Sequence, residues 1–188
     1  MKDIFEIVIH GRGGQGAKTA AQLIVEAAIG KGKYVQAFPE YGPERSGAPM
    51  RTFARISDMP IRTHQPITEP DVVMVIDPTL LDSADVNEGT DEKSVLIVNS
   101  KGSAGEIREK TGFRGKVCTV DATGISIEIL GKSMPNTPIL GAFVKVTGVI
   151  DLETLLKNVE NMFTKKIGPE NTKKNVECIK RACSEVRS

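Results

Sequence analysis

The residues best placed to do chemistry lie in one short run, His10-Gly11-Arg12-Gly13-Gly14-Gln15-Gly16. Four glycines in six residues let the backbone turn tightly and reach positive φ without a Cβ penalty. Ile4 to Ile9, apolar and β-branched or aromatic apart from Glu6, predicts a buried strand before the run. Ala20, Leu23, Ile24, Ala27 and Ala28 recur at helical spacing after it, with Gly30 and Gly32 as stop signals. A strand, a glycine turn and a helix in that order aim unpaired N–H groups at whatever fills the turn, with the positive end of the helix dipole behind them. The natural guest is an anion, or the polar atoms of a partner. Arg12 adds a charge beside these donors, and Arg45 sits in a proline-bracketed loop. Arginines held this way suit bidentate contact with phosphate or carboxylate. The same charge on Arg45 can instead brace the loop against Glu40 or Glu44.

Gly11, Gly13 and Gly16 also match the G-x-G-x-x-G spacing of dinucleotide sites. That motif requires an acidic residue about 20 positions on, at the end of a second strand. Glu40 is the available acid, but Pro39-Glu40-Tyr41-Gly42-Pro43 reads as turn rather than strand end. The dinucleotide reading therefore lacks its context.

The elements that must position these residues follow from patterning. Residues 34–38 predict a second strand and 39–49 a loop. Residues 50–56 alternate, with Arg51, Phe53 and Arg55 on one face and Thr52, Ala54 and Ile56 on the other. Turn chemistry at 57–60 predicts a hairpin return over 61–64. The continuous apolar runs 72–76, 95–98 and 117–120 predict strands covered on both faces, with helical crossovers near 78–86, 103–111 and 122–131. Asp77 and Asp121 end such strands, as helix N-caps or as functional groups. An apolar helix is expected over 139–148. Asp151 then caps a helix carrying Leu152, Leu155, Leu156, Val159 and Phe163, which Gly168-Pro169 stops. A last helix places Val176, Ile179, Cys183 and Val186 on one stripe, opposite a basic, solvated face. The sum is an α/β fold: a single Rossmann-like three-layer domain over 1–188, with a mainly parallel sheet, an inserted β-hairpin and C-terminal helices.

Composition bounds the function. With 25 basic and 24 acidic residues the net charge is +1, which argues against a nucleic-acid or polybasic membrane binder. No apolar run approaches a membrane span and the first residues lead straight into a strand, so a cytoplasmic protein is expected. Cys118, Cys178 and Cys183 lack C-x-x-C spacing and read as small buried hydrophobes, and His10 and His64 have no paired ligand, so no metal site is expected.

The glycine run, together with Gln36-Ala37-Phe38-Pro39-Glu40-Tyr41-Gly42-Pro43-Glu44-Arg45-Ser46-Gly47-Ala48-Pro49, resembles the gamma subunits of the 2-oxoacid:ferredoxin oxidoreductases. Glu69 to Val73, Asp77 to Leu81 and Asn136 to Ala142 continue the resemblance, which spans nearly the whole chain and is closest to the pyruvate-using branch. It implies a hetero-oligomeric complex that decarboxylates a 2-oxoacid with coenzyme A, yielding acyl-CoA, CO2 and reduced ferredoxin. Thiamine diphosphate, magnesium and [4Fe-4S] clusters would then belong to the partners, a thiamine-binding and a ferredoxin-like subunit. This chain has no Gly-Asp-Gly diphosphate motif and too few cysteines for a cluster. The resemblance gives it no catalytic residue and no activity alone. It gives Gly11, Arg12, Gly13, Gly14, Gln15, Gly16 and Arg45 a role in coenzyme A or subunit contact. A branched-chain 2-oxoacid complex, and a free-standing nucleotide-binding domain, are the alternatives.

Overall fold

The computed structural model describes residues 4–41 and 47–188. Its elements are β1 (Ile4–Arg12), α1 (Ala17–Ile29), β2 (Tyr34–Tyr41), β3 (Pro49–Ser57), β4 (Val72–Val75), β5 (Val95–Asn99), α2 (Ala104–Thr111), β6 (Lys116–Val120), α3 (Ala122–Leu130), α4 (Ile139–Thr147) and α5 (Leu152–Glu185). The six strands form one sheet in the order β2-β3-β1-β4-β5-β6. β1, β4, β5 and β6 run parallel, while β3 is antiparallel to both β1 and β2.

The period of two along each strand divides the core. Ile7, Ile9, Met74, Ile97 and Cys118 face α1, α4 and α5. Val73, Val75, Leu96, Val98 and Val117 face Ile107 of α2 and Phe113. Covered on both sides, the central strands need no polar face, as their apolar runs predicted. Gly141 is required where α4 meets α5, because a Cβ there would lie 2.1 Å from the Ile179 carbonyl oxygen. Caps fix the helix ends: Asp121 accepts from Gly124 N–H and Asp151 from Thr154 N–H, while Ser103 and Glu106 form a reciprocal capping box. Among the described residues no helix is long and apolar enough to cross a membrane.

Four expectations need correction. The partner of β3 in the hairpin is β2, in the register Tyr34 to Ser57 through Tyr41 to Met50, and residues 61–64 form no strand. Both sides of β3 are occupied by β1 and β2. The 61–65 stretch is instead tied down by side chains: Arg55 donates to the Gln65 carbonyl at 2.9 Å and Gln36 to the Thr63 carbonyl at 3.0 Å. Secondly, the stretch read as a loop is strand as far as Tyr41, and strand again from Pro49. Pro39 is tolerated because β2 is an edge strand, where a missing N–H costs no ladder bond. Thirdly, the crossover at 78–86 shrinks to a single 3-10 turn over Pro78–Asp82, capped by Asp77. Lastly, the apolar stripe of the last helix is shifted, although Gly168, at φ 79°, breaks α5 into two helices at the expected place. The buried line of its second half is Thr172, Asn175, Cys178, Ile179 and Ala182, so Cys183 is only half-buried.

The alternation of β3 holds. Ala54 and Ile56 join the core beneath α1, whereas Phe53 packs with Val8 and Ile67 on the other face. Arg55 beside it is only 2% exposed, and its guanidinium donates to Glu6 at 2.8 Å and to the Gln36 amide oxygen at 2.9 Å. A charge this deep is tolerated because it is paired and each of its three nitrogens makes a hydrogen bond.

Candidate functional site

β1 runs three residues beyond its apolar stretch, through Gly11 to Arg12. Gly11 lets α1 fold back closely, since a Cβ there would meet that of Ala17 at 3.2 Å. The turn itself is held by a network centred on Asp77, at the end of β4. Asp77 accepts from Arg12 Nε at 3.0 Å, from Gln15 Nε2 at 2.7 Å, and from the N–H and hydroxyl of Thr79 at 3.0 and 2.7 Å. Gln15 also accepts the Arg12 N–H at 2.8 Å. The remaining Arg12 nitrogens donate to the Gly47 carbonyl and to the Thr79 hydroxyl. Burial alone would raise the Asp77 carboxyl, but the hydrogen bonds from Thr79 and Gln15 and the charge of Arg12 together hold it below the usual carboxylate range. Asp77 is thus both the expected cap and the anchor of the glycine turn.

The segment from Gly47 to Ala48 closes on the same turn. Gly13 N–H donates to the Ala48 carbonyl at 2.9 Å, and Gly47 N–H to the Gly13 carbonyl at 3.2 Å. With Gln15 N–H donating to the Arg12 carbonyl at 3.0 Å, the amides of Arg12, Gly13 and Gln15 are already engaged by the chain itself. Arg45 lies outside the described residues.

Other amides of the turn remain available. Gly14 and Gly16 both adopt left-handed φ, 94° and 81°. The first intrahelical bond of α1 runs from Ala20 N–H to the Gly16 carbonyl, so amides earlier in the helix have no acceptor within it. They border a cleft of about 530 Å³ at the carboxyl ends of β1, β4 and β5, lined by Gly14, Gln15, Gly16, Asp77, Asn99 and Asn136 among others. Asn99 ties its floor together, donating to the Ile76 carbonyl and the Thr123 hydroxyl at 2.8 Å and accepting Thr123 N–H at 3.1 Å.

Asn136 and Thr137 form the far wall, contributed by the proline-flanked break before α4. The Asn136 amide lies directly over Gly16, where a Cβ would come within 2.6 Å of Nδ2. Asn136 is 94% buried, yet its amide has no hydrogen-bond partner among the described residues. The Asn136 amide is not among the fully enclosed atoms and keeps some exposure, whereas the Thr137 hydroxyl is enclosed and unpartnered. Buried polar groups are nearly always paired, so an unpartnered amide lining the cleft suits a polar guest. Sequence reasoning quoted these two residues only as part of a resemblance; their signal is spatial.

The dinucleotide reading weakens further. Glu40 does lie near a strand end, but β3 separates β2 from β1, and the Glu40 carboxylate is held by Arg51 Nε at 2.8 Å. Cys118 stands on β6 while Cys178 and Cys183 stand on α5, and burial raises the thiols of Cys118 and Cys178, the latter to about 11. Among the described residues no cluster of three His, Cys, Asp or Glu can hold a metal.

Comparison with known proteins places this geometry. Residues 6–185 match the model of the family described as pyruvate ferredoxin/flavodoxin oxidoreductase. Pyruvate synthase subunit PorC of Thermotoga maritima is 52% identical over 186 residues, covering 99% of this chain and 96% of that protein. The pyruvate/ketoisovalerate oxidoreductases common subunit gamma of Thermococcus kodakarensis is 50% identical, covering 90% of this chain and 92% of that one. The crystal structure of the Thermotoga maritima pyruvate oxidoreductase subunit PORC superposes with a TM-score of 0.88 at 49% identity, over 99% of this chain and 98% of that chain.

Proposed function

The chain belongs to the pyruvate ferredoxin/flavodoxin oxidoreductase family, as a gamma subunit of a multi-subunit oxidoreductase, and on that premise we propose that it serves the oxidation of pyruvate to acetyl-CoA. It acts as one domain, beside thiamine-binding and ferredoxin-like subunits, with ferredoxin as the electron acceptor of the complex. A relative named as common to pyruvate and ketoisovalerate oxidoreductases supports a second acid, a branched 2-oxoacid, reached through a different catalytic partner.

Thiamine diphosphate, magnesium and iron–sulfur clusters supply the carbanion and electron-transfer chemistry of such a complex. The three dispersed cysteines here do not fit a four-cysteine cluster, so no step is routed through this chain's thiols. What its residues can do is bind and orient. Gly11, Gly13, Gly14, Gln15 and Gly16 shape an amide-lined turn at the mouth of the cleft. Arg12 braces that turn through Asp77, and Arg45 is the second arginine assigned to coenzyme A or subunit contact. Coenzyme A is the anionic co-substrate this surface suits: a phosphate or pyrophosphate oxygen at the start of α1 accepts N–H bonds and meets the favourable end of the dipole.

The observation that carries the reading is the buried, unpartnered Asn136 amide beside Gly16. In the reconstituted complex, Asn136→Asp keeps the shape and replaces a donor by a negative charge. A hydrogen bond to a charged group contributes about 1.5–3 kcal/mol, so the apparent KM for coenzyme A should rise roughly 10- to 100-fold with assembly intact. Arg45→Ala separates the two roles of that residue: a raised KM means ligand contact, and dissociation means subunit bracing. An unchanged KM for Asn136→Asp sinks the coenzyme A reading.

A further inference from the structure

The face of β1 turned away from α1 builds a second cleft, which coenzyme A binding leaves unused. Ile7 and Ile9 point into the core under α1, so Val8 and His10 point the other way. His10 is 94% buried, and among the described residues neither ring nitrogen has a hydrogen-bond partner. Nor is either nitrogen among the fully enclosed atoms, so what access they keep is to the cleft that the residue lines. Burial, reinforced by the charge of Arg51, lowers the imidazole to about 4. At neutral pH it is therefore uncharged and keeps one acceptor nitrogen.

The cleft measures about 390 Å³. Met50, Leu80 and Ala84 give it an apolar wall, and Glu40, Asp85 and Glu88 bring three carboxylates against the single guanidinium of Arg51. Arg51 is itself shared, donating to Glu40 at 2.8 Å and to Glu88 at 2.7 Å. The balance is negative, with a neutral acceptor at the base. A phosphate or carboxylate would be repelled. A metal ion finds no cluster of three ligands among the described residues. The chemistry that fits is an organic cation with N–H donors on an apolar stem.

The cleft opens beside the glycine turn, since His10 lies two residues before Arg12 and Met50 pairs with Gly11. We infer that it is a socket for a lysine or arginine side chain of a partner subunit, whose head meets Glu88, Asp85 and the free nitrogen of His10 while its stem covers Met50 and Leu80. This rests on the subunit reading above, because it needs a partner at the carboxyl end of the sheet. Interfacial charges of this kind set partner choice and association rate as well as affinity.

The test uses the tagged chain and the remaining subunits of the complex, with their affinity measured across a series of salt concentrations. Glu88 is well exposed, so Glu88→Lys, though it breaks the surface pair with Arg51, should lower the melting temperature of the chain by only a few degrees while weakening association at least tenfold and flattening its salt dependence. His10→Leu should weaken association several-fold. His10→Gln, which retains an acceptor, should restore most of it. Wild-type affinity and salt dependence in all three variants would overturn the socket, whereas failure of the wild-type chain to associate would instead overturn the subunit reading. Spermidine tests the other source of such a cation. If it stabilises the wild-type chain but not Glu88→Lys, with assembly of both unaltered, the cleft takes a free polyamine and the docking role falls.

Discussion

Substituting Gly16 by alanine tests the packing of the cleft most directly, because two separable costs meet there. The first is backbone: at φ 81° a residue with a Cβ is strained by about 1–2 kcal/mol. The second is contact. The new methyl would sit 2.6 Å from Asn136 Nδ2 and 2.8 Å from its Cγ, so the buried Asn136 must move, at about 1–3 kcal/mol for overpacking. Gly14 supplies the control, with φ 94° and nothing within 4 Å of a built Cβ, and carries only the first cost. Urea denaturation of the isolated subunit, with equal m-values, should show Gly14→Ala losing about 1–2 kcal/mol and Gly16→Ala about 2–5 kcal/mol. In an Asn136→Ala background the clashing amide is gone and only the Cβ contact at 3.2 Å remains, so Gly16→Ala should fall close to the cost of Gly14→Ala. The coupling between the two sites is then about 1–3 kcal/mol. Equal losses for Gly14→Ala and Gly16→Ala, or a Gly16→Ala cost indifferent to Asn136, would refute the account of the wall.

Arg55→Met removes a buried guanidinium and leaves the carboxylate of Glu6 facing an apolar side chain, so it should cost about 3 kcal/mol and lower the melting temperature by roughly 6–12 °C, readable by calorimetry. Asp77 titrates lower in the folded chain than in the unfolded one, so its contribution to stability is full above the ordinary carboxyl range, about pH 4, and is lost as the pH falls through the depressed folded value. Asp77→Asn should therefore destabilise the chain at neutral pH and flatten its acid-unfolding profile below about pH 4, followed by circular dichroism.

The legible parts of this fold were those in which one local signal decided the outcome. The runs at 72–76 and 95–98 are apolar without interruption and 117–120 is broken only by Thr119, and short β-branched runs of this kind suit a strand covered on both faces. Asp121, Asp151 and Gly168 act within their own helix ends, so they too could be read directly. Pro39 and Glu40 misled because their turn character is local, whereas their strand state is imposed by β3 alongside an edge. Residues 61–64 misled for the converse reason: their pattern suits pairing, but β1 had already taken the available side of β3. In the candidate site the glycine turn announced itself through spacing. Asn136 did not, since its importance lies in coming to rest over Gly16 from far along the chain. His10 was read as part of the glycine run and as lacking a paired metal ligand, and burial with an idle nitrogen is not visible in a string of letters.

The place of β3 between β2 and β1 has a consequence in time. Because Ile4 pairs with Ser57, the first 57 residues can close β1, α1, β2 and β3 into a unit while the rest of the chain is still being synthesised. Such sequence-local pairing is fast, whereas the parallel joining of β4 to β1 must wait for a longer loop to close. During that interval the β4 side of β1 is an open edge bearing Ile7, Val8 and Ile9, the kind of surface on which nascent chains stick to one another. Variants that delay β4, such as proline introduced at Val73, should therefore reveal themselves first as insoluble chain during expression, before any effect on the assembled enzyme can be measured.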